Sequence, residues 1–118
     1  MKSRKELREE YKQRKYRMGV FQIKNLINNK IYVGSSQDLD AIWHAQKLQL
    51  NVGIHSNDDL QKDWKESGPD NFTFEILEML KQIDDKPQEI EKELKSLEEM
   101  IVEKLQPFEN RGYNKKKR

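Results

Sequence analysis

Residues 18–36 read MGVFQIKNLINNKIYVGSS, and this stretch decides the first half of the architecture. Met18 to Asn25 reads as a strand, in which Phe21 and Ile23 alternate with Gln22 and Lys24. Lys30 to Ser35 reads as a second strand. Leu26-Ile27-Asn28-Asn29 lies between them, and asparagine tolerates the left-handed backbone that a tight connection demands. Asn28-Asn29 is therefore the expected hairpin turn.

Helical spacing takes over beyond this hairpin. Asp38 is placed to cap a helix running through Leu50, with Leu39, Ile42, Trp43, Gln46 and Leu50 roughly in line. Gly53 lies in the following loop. Ser56-Asn57-Asp58-Asp59 carries a second cap signal, with Ser56 as N-cap and an acid three residues on. The helix so started presents Leu60 and Trp64 and stops at Gly68-Pro69. Asn71 to Leu77 alternates Phe72, Phe74 and Ile76 and reads as a third strand. A loop at Asp84-Asp85 follows, and Pro87 suits the first turn of a last helix. Ile90, Leu94, Leu97, Ile101 and Leu105 then form a regular amphipathic stripe that Pro107 ends. Upstream of the hairpin, residues 3–16 read as a helix opening on Ser3-Arg4-Lys5-Glu6, with only Leu7, Tyr11 and Tyr16 for docking. No internal repeat is present. The order helix, strand, strand, helix, helix, strand, helix implies an α+β or layered α/β domain.

The bulk numbers agree with one domain: 118 residues, 34% hydrophobic and 37% charged. With no cysteine, disulfides, thiolate zinc sites and cysteine nucleophiles are excluded. Two histidines make a histidine-rich metal cage a poor expectation. The cysteine-free composition fits a cytoplasmic protein, no apolar run approaches a membrane span, and the amino terminus lacks a signal-peptide core. Net charge is +2 but unevenly spread. Residues 1–17 hold eight Lys/Arg against three Glu, residues 75–103 hold ten acids against four Lys, and Lys115 to Arg118 are all basic. Such ends suit an anionic partner, or equally serve as solubilising tails.

One carboxylate stands out. At about 100° per residue, Glu98 projects only about 40° from Leu94, inside the apolar stripe of the last helix. Glu99 and Glu103 point away from it. A carboxylate on a core-facing stripe must be paired, protonated, metal-bound, or at the stripe's edge reaching water.

Further segments resemble a known family. Gly19-Val20-Phe21, followed eleven residues after Phe21 by Tyr32-Val33-Gly34-Ser35-Ser36, resembles the paired motifs that name the GIY-YIG nucleases. Leu39 and Trp43, then Gly53-Ile54-His55-Ser56-Asn57, Leu60 to Trp64, Gly68, Phe72 to Glu78 and Gly112-Tyr113-Asn114 continue the likeness across about residues 18–114. Residues 1–17 would then be a basic amino-terminal helix and 115–118 a basic tail. The compact domains of phage and intron-encoded homing endonucleases are the nearest in pattern. The resemblance implies a small three-stranded antiparallel sheet flanked by helices. It further implies a DNA endonuclease that hydrolyses phosphodiester bonds with one divalent ion, usually Mg2+. Glu98 would be the metal ligand, and Tyr32 would position or deprotonate the attacking water. His55 and Asn114 would support the site. On residue chemistry alone, Tyr32 also suits a buried strand tyrosine, His55 a surface loop, and Asn114 a turn after Gly112.

The pattern breaks at three places. Phe21 stands where the first motif has tyrosine, Ile42 where the family carries a phosphate-contacting arginine, and Gln46 where a histidine often follows. Losing a positioned donor costs on the order of 10²–10³ in rate. His44, Gln46 or Lys47 are on neighbouring turns, though lysine lacks the bidentate fork of arginine. Three readings stay open: a nuclease with a modified site, a catalytically degenerate fold that binds or regulates nucleic acid, and an acidic helix that contacts protein. Homing enzymes usually carry a separate recognition region. Here target choice would fall to the basic ends, to homodimerisation or to a partner, and low intrinsic specificity is expected.

Overall fold

The computed structural model describes residues 17–80 and 87–115. Strands β1 (Gly19–Asn25), β2 (Ile31–Ser36) and β3 (Phe72–Met79) form one antiparallel sheet in the order β2-β1-β3. The first strand takes the centre because it is buried at six of its seven positions, all but Lys24. The hairpin forms where the two asparagines predict it. Asn29 adopts φ 64°, and the Asn28 side chain accepts from Lys30 N–H at 3.0 Å. Buried Asn25 adds a second local clamp, accepting from Ile27 N–H at 2.9 Å.

The alternation of β1 sends its side chains to two separate cores. Phe21 and Ile23 pack with Leu39 and Leu50 of α1 (Leu39–Val52) and Leu60 and Trp64 of α2 (Asp58–Ser67). Val20 and Val33 pack on the other face against Ile101, with Leu97, Val102 and Leu105, all on α3 (Pro87–Leu105). The domain is thus a three-stranded antiparallel sheet with helices on both faces, the layered α+β arrangement expected. Phe21, Ile23, Leu39, Leu50 and Leu60 are at most 2% exposed. Each contributes about 1.5–3 kcal/mol of burial free energy.

Caps decide where the helices start and stop. Asp38 accepts from Ala41 N–H at 3.2 Å, and Gly53 closes α1 with φ 83°. The second cap departs from expectation: Asn57, not Ser56, opens α2 by accepting from Leu60 N–H at 3.0 Å. The reason is tertiary. The Asn57 amide donates to the Tyr113 carbonyl at 2.7 Å, which aims its own oxygen at the helix, whereas Ser56 is exposed. Gly68 ends α2, and a 3-10 turn over Pro69–Asn71 leads into β3. The expected helix over 3–16 and the Asp84-Asp85 loop lie outside the described residues. Among those described, no helix is long and apolar enough to cross a membrane.

After α3 the chain returns to the outer edge of β2. Ile31 N–H donates to Arg111 O at 3.1 Å, and Tyr113 N–H donates to Ile31 O at 2.9 Å. Gly112 sits against Ile31 in a short parallel bridge. Only glycine fits, because a Cβ there would lie 2.4 Å from Pro107 O and 2.5 Å from Ile31 O.

Candidate active site

Edge strand β2 carries the site. Tyr32 is half-buried on the face that packs against the α1–α2 cluster. His55, in the loop between α1 and α2, meets it edge-on with ring centroids 5.5 Å apart. Far from being a surface loop residue, His55 is 5% exposed. Burial pushes the Tyr32 phenol up, and the negative charge of Glu98 pushes it further in the same direction. Glu98 reaches Tyr32 electrostatically although α3 packs on the opposite face, since β2 is the sheet's edge. At neutral pH Tyr32 is a neutral hydrogen-bond donor and acceptor.

Glu98 is half-exposed, between the buried Leu94 and Ile101 of its own helix. It opens into a cleft of about 580 Å³ lined also by Glu99, Val102, Gln106, Asn114 and Lys115. Asn114 holds β2 like an extra strand. Its amide oxygen accepts from Val33 N–H at 2.8 Å, and its amide nitrogen donates to Val33 O at 2.9 Å. The structure brings Glu98 and Asn114 to one cleft and Tyr32 and His55 into ring contact on the other face, the two pairs being joined by the charge of Glu98 on Tyr32 and by the Asn114 clamp on Val33 next to it. Both polar atoms of the Asn114 side chain are committed to that clamp.

The positions that depart from the motif have clear local roles. The Phe21 ring is buried and stacks on Phe74 at 5.4 Å. It crosses the edge strand where Gly34 has no side chain: a Cβ on Gly34 would come within 2.8 Å of Phe21 Cζ. Ile42 is half-buried against the same cluster as Tyr32. Its place is filled by packing, not by a cation. Lys47 lies 5.1 Å over the Trp43 ring, and Gln46 bonds the His55 ring.

Several supports are hard to see in sequence. His55 N–H donates to the Gln61 side-chain oxygen at 3.1 Å, while the Gln61 amide donates to Leu50 O at 2.8 Å. Tyr113 is buried, accepts from the Asn25 amide at 3.1 Å and donates to Asp63 at 2.7 Å. Asn57 could have been found by testing the cap rule one residue further on. Nothing local announces the other contacts.

Residues 17–106 match the family described as the GIY-YIG catalytic domain. The chain belongs to the GIY-YIG family. This GIY-YIG domain is 42% identical over 60 residues to "Intron-associated endonuclease 1" of Enterobacteria phage T4. That stretch is 51% of the chain and only 24% of the phage protein's length. Solved structures extend the likeness. The structure described as the catalytic domain of homing endonuclease I-TevI superposes with TM-score 0.66 at 33% identity, covering 85% of this chain and 99% of that one. A single-substitution variant of the catalytic domain of intron endonuclease I-TevI gives TM-score 0.70 at 30% identity, over 83% and 92%. Asn114 lies beyond the span of the family match, and the structure shows it as the clamp on Val33.

Proposed function

We propose that this GIY-YIG domain is a DNA endonuclease that hydrolyses phosphodiester bonds of duplex DNA with one divalent ion, Mg2+ by preference. The observation that carries the reading is a carboxylate, Glu98, on the apolar stripe of α3 at an open cleft shared with Asn114, which clamps the edge strand that carries Tyr32. Among the described residues no group of three or more His, Cys, Asp or Glu is gathered where it could hold a metal ion. The donor set instead fits a hard cation held by one carboxylate, water and substrate phosphate, the usual arrangement for magnesium. Glu98 would hold it, and the bound ion would supply charge to the phosphate and leaving oxygens.

The chain's own groups supply orientation. Tyr32, kept protonated by burial and by Glu98, offers its phenol to a water or a phosphate oxygen. His55 backs the ring, and Asn114 fixes the neighbouring residue Val33. The proposal places the protein in the cytoplasm, where its cysteine-free composition is at home. In a plasmid assay with Mg2+, the parent nicks or linearises DNA and Glu98→Ala is slower by at least about 10². Equal cutting by both would end the proposal.

A second reading, binding without cutting, is favoured by Ile42 filling a packed position where a phosphate-contacting arginine is expected. It predicts duplex affinity that falls steeply with salt, with no cleavage at any Mg2+ concentration. A salt-independent affinity would remove phosphate contact altogether.

A further inference from the structure

The His55 ring has both nitrogens engaged. Asn57 N–H donates to Nδ1 at 3.0 Å, and Nε2 faces the Gln46 side-chain oxygen. A backbone N–H can only donate, so Nδ1 must carry a lone pair. The one proton of a neutral ring is then on Nε2 and is given to Gln46 Oε1. An imidazolium would bring a second N–H against that of Asn57. The ring meets Tyr32 on β2, Gln46 on α1 and Asn57 before α2; of these, Tyr32 is the titratable group.

We infer that Gln46 is a positioning residue: with Asn57 it locks His55 as the neutral Nε2–H form, a fixed platform that sets the Tyr32 ring rather than a proton carrier. Gln46 lies four residues after Ile42, on the same side of α1. The wall that α1 and the loop after it turn toward the site thus carries a neutral amide and a neutral ring. Burial, which lowers the His55 pKa, is consistent with that lock. The bearing on catalysis rests on the nuclease reading; the lock itself does not.

The test separates the two. In 15N NMR of the full chain, the His55 ring shows the Nε2–H tautomer and stays neutral below the ordinary histidine pKa. In Gln46→Leu the Nε2–H, still set by the Asn57 N–H at Nδ1, loses its acceptor, so the Nε2–H signal and the Tyr32 ring resonances shift, with kcat for plasmid cleavage down about 10-fold or more and KM little changed. Gln46→Glu keeps an acceptor at Nε2 and restores the Nε2–H and Tyr32 signals. Its carboxylate raises the His55 pKa by about one unit or more and gives cleavage a new acid limb. Thermal melting of both variants controls for folding. An Nδ1–H ring in the parent, a parent His55 titrating at or above the ordinary value, or unmoved Tyr32 signals in Gln46→Leu would overturn the inference. A parent that cuts no DNA sinks the nuclease reading, while the NMR arms still decide the lock.

Discussion

Tyr113 shows how much a single side chain can carry. Its hydroxyl donates to Asp63 and accepts from buried Asn25, while its carbonyl holds the cap residue Asn57. Burial, then the bond to Asp63, pushes its pKa from 10.0 up to about 12. The folded state therefore keeps a proton that the unfolded chain gives up. The resulting stability is fully present below pH 10 and is lost as pH rises toward 12. Urea unfolding should show Tyr113→Phe less stable by about 1–3 kcal/mol at neutral pH, because the Asn25 amide loses a partner. The variant's stability should also fall less steeply than the parent's above pH 10. Ile42 is the complementary case, a residue whose replacement should add function. Ile42→Arg, with a stem long enough to reach past the cluster, should raise the cleavage rate by about 10² or more at little cost to KM. A rate unchanged from the parent would show that the arginine position has lost its route to the phosphate.

Among the elements, the segment after α3 is the most sensitive. Gly112→Ala drives a methyl group into the Pro107 and Ile31 carbonyl oxygens, and relief requires the segment to lift from β2. The expected result is a loss of about 1–3 kcal/mol in unfolding free energy and a larger proportional loss of cleavage, since Asn114 leaves Val33 with it. The strands and helices on either side of this segment were readable in sequence because each is announced locally. Period-2 alternation marks β1 and β3, Asn28-Asn29 the turn, Asp38 and Gly53 the ends of α1, and the stripe from Ile90 to Leu105 the last helix. The candidate site was legible in part for the same reason: Glu98 is conspicuous as a carboxylate on an apolar stripe, and the structure puts it at an open cleft. What escaped is what depends on distant partners. The choice of Asn57 over Ser56 as cap follows from Tyr113, which lies 56 residues away. The burial of His55 follows from Gln46 and Gln61. Spacing alone carries no trace of either.

On the scale of the whole molecule, two cores share one thin sheet, and the site sits where the sheet runs out. The two faces meet only at strand edges, so a group on α3 can influence a phenol that belongs to the opposite layer. The Asn114 clamp joins residues 81 positions apart in the chain. Closing so long a loop brings no reward until the hairpin and α3 are already in place. Edge strand β2 should therefore be the last part of the sheet to gain protection during refolding and the first to surrender it. In native-state hydrogen exchange, the Val33 amide should open at a lower free energy than the central-strand amides of β1. Such opening would release Tyr32 from its register while leaving the helices standing. A molecule that looks folded by circular dichroism could thus be temporarily unfit for work, and the fraction of time the clamp stays shut would cap its turnover.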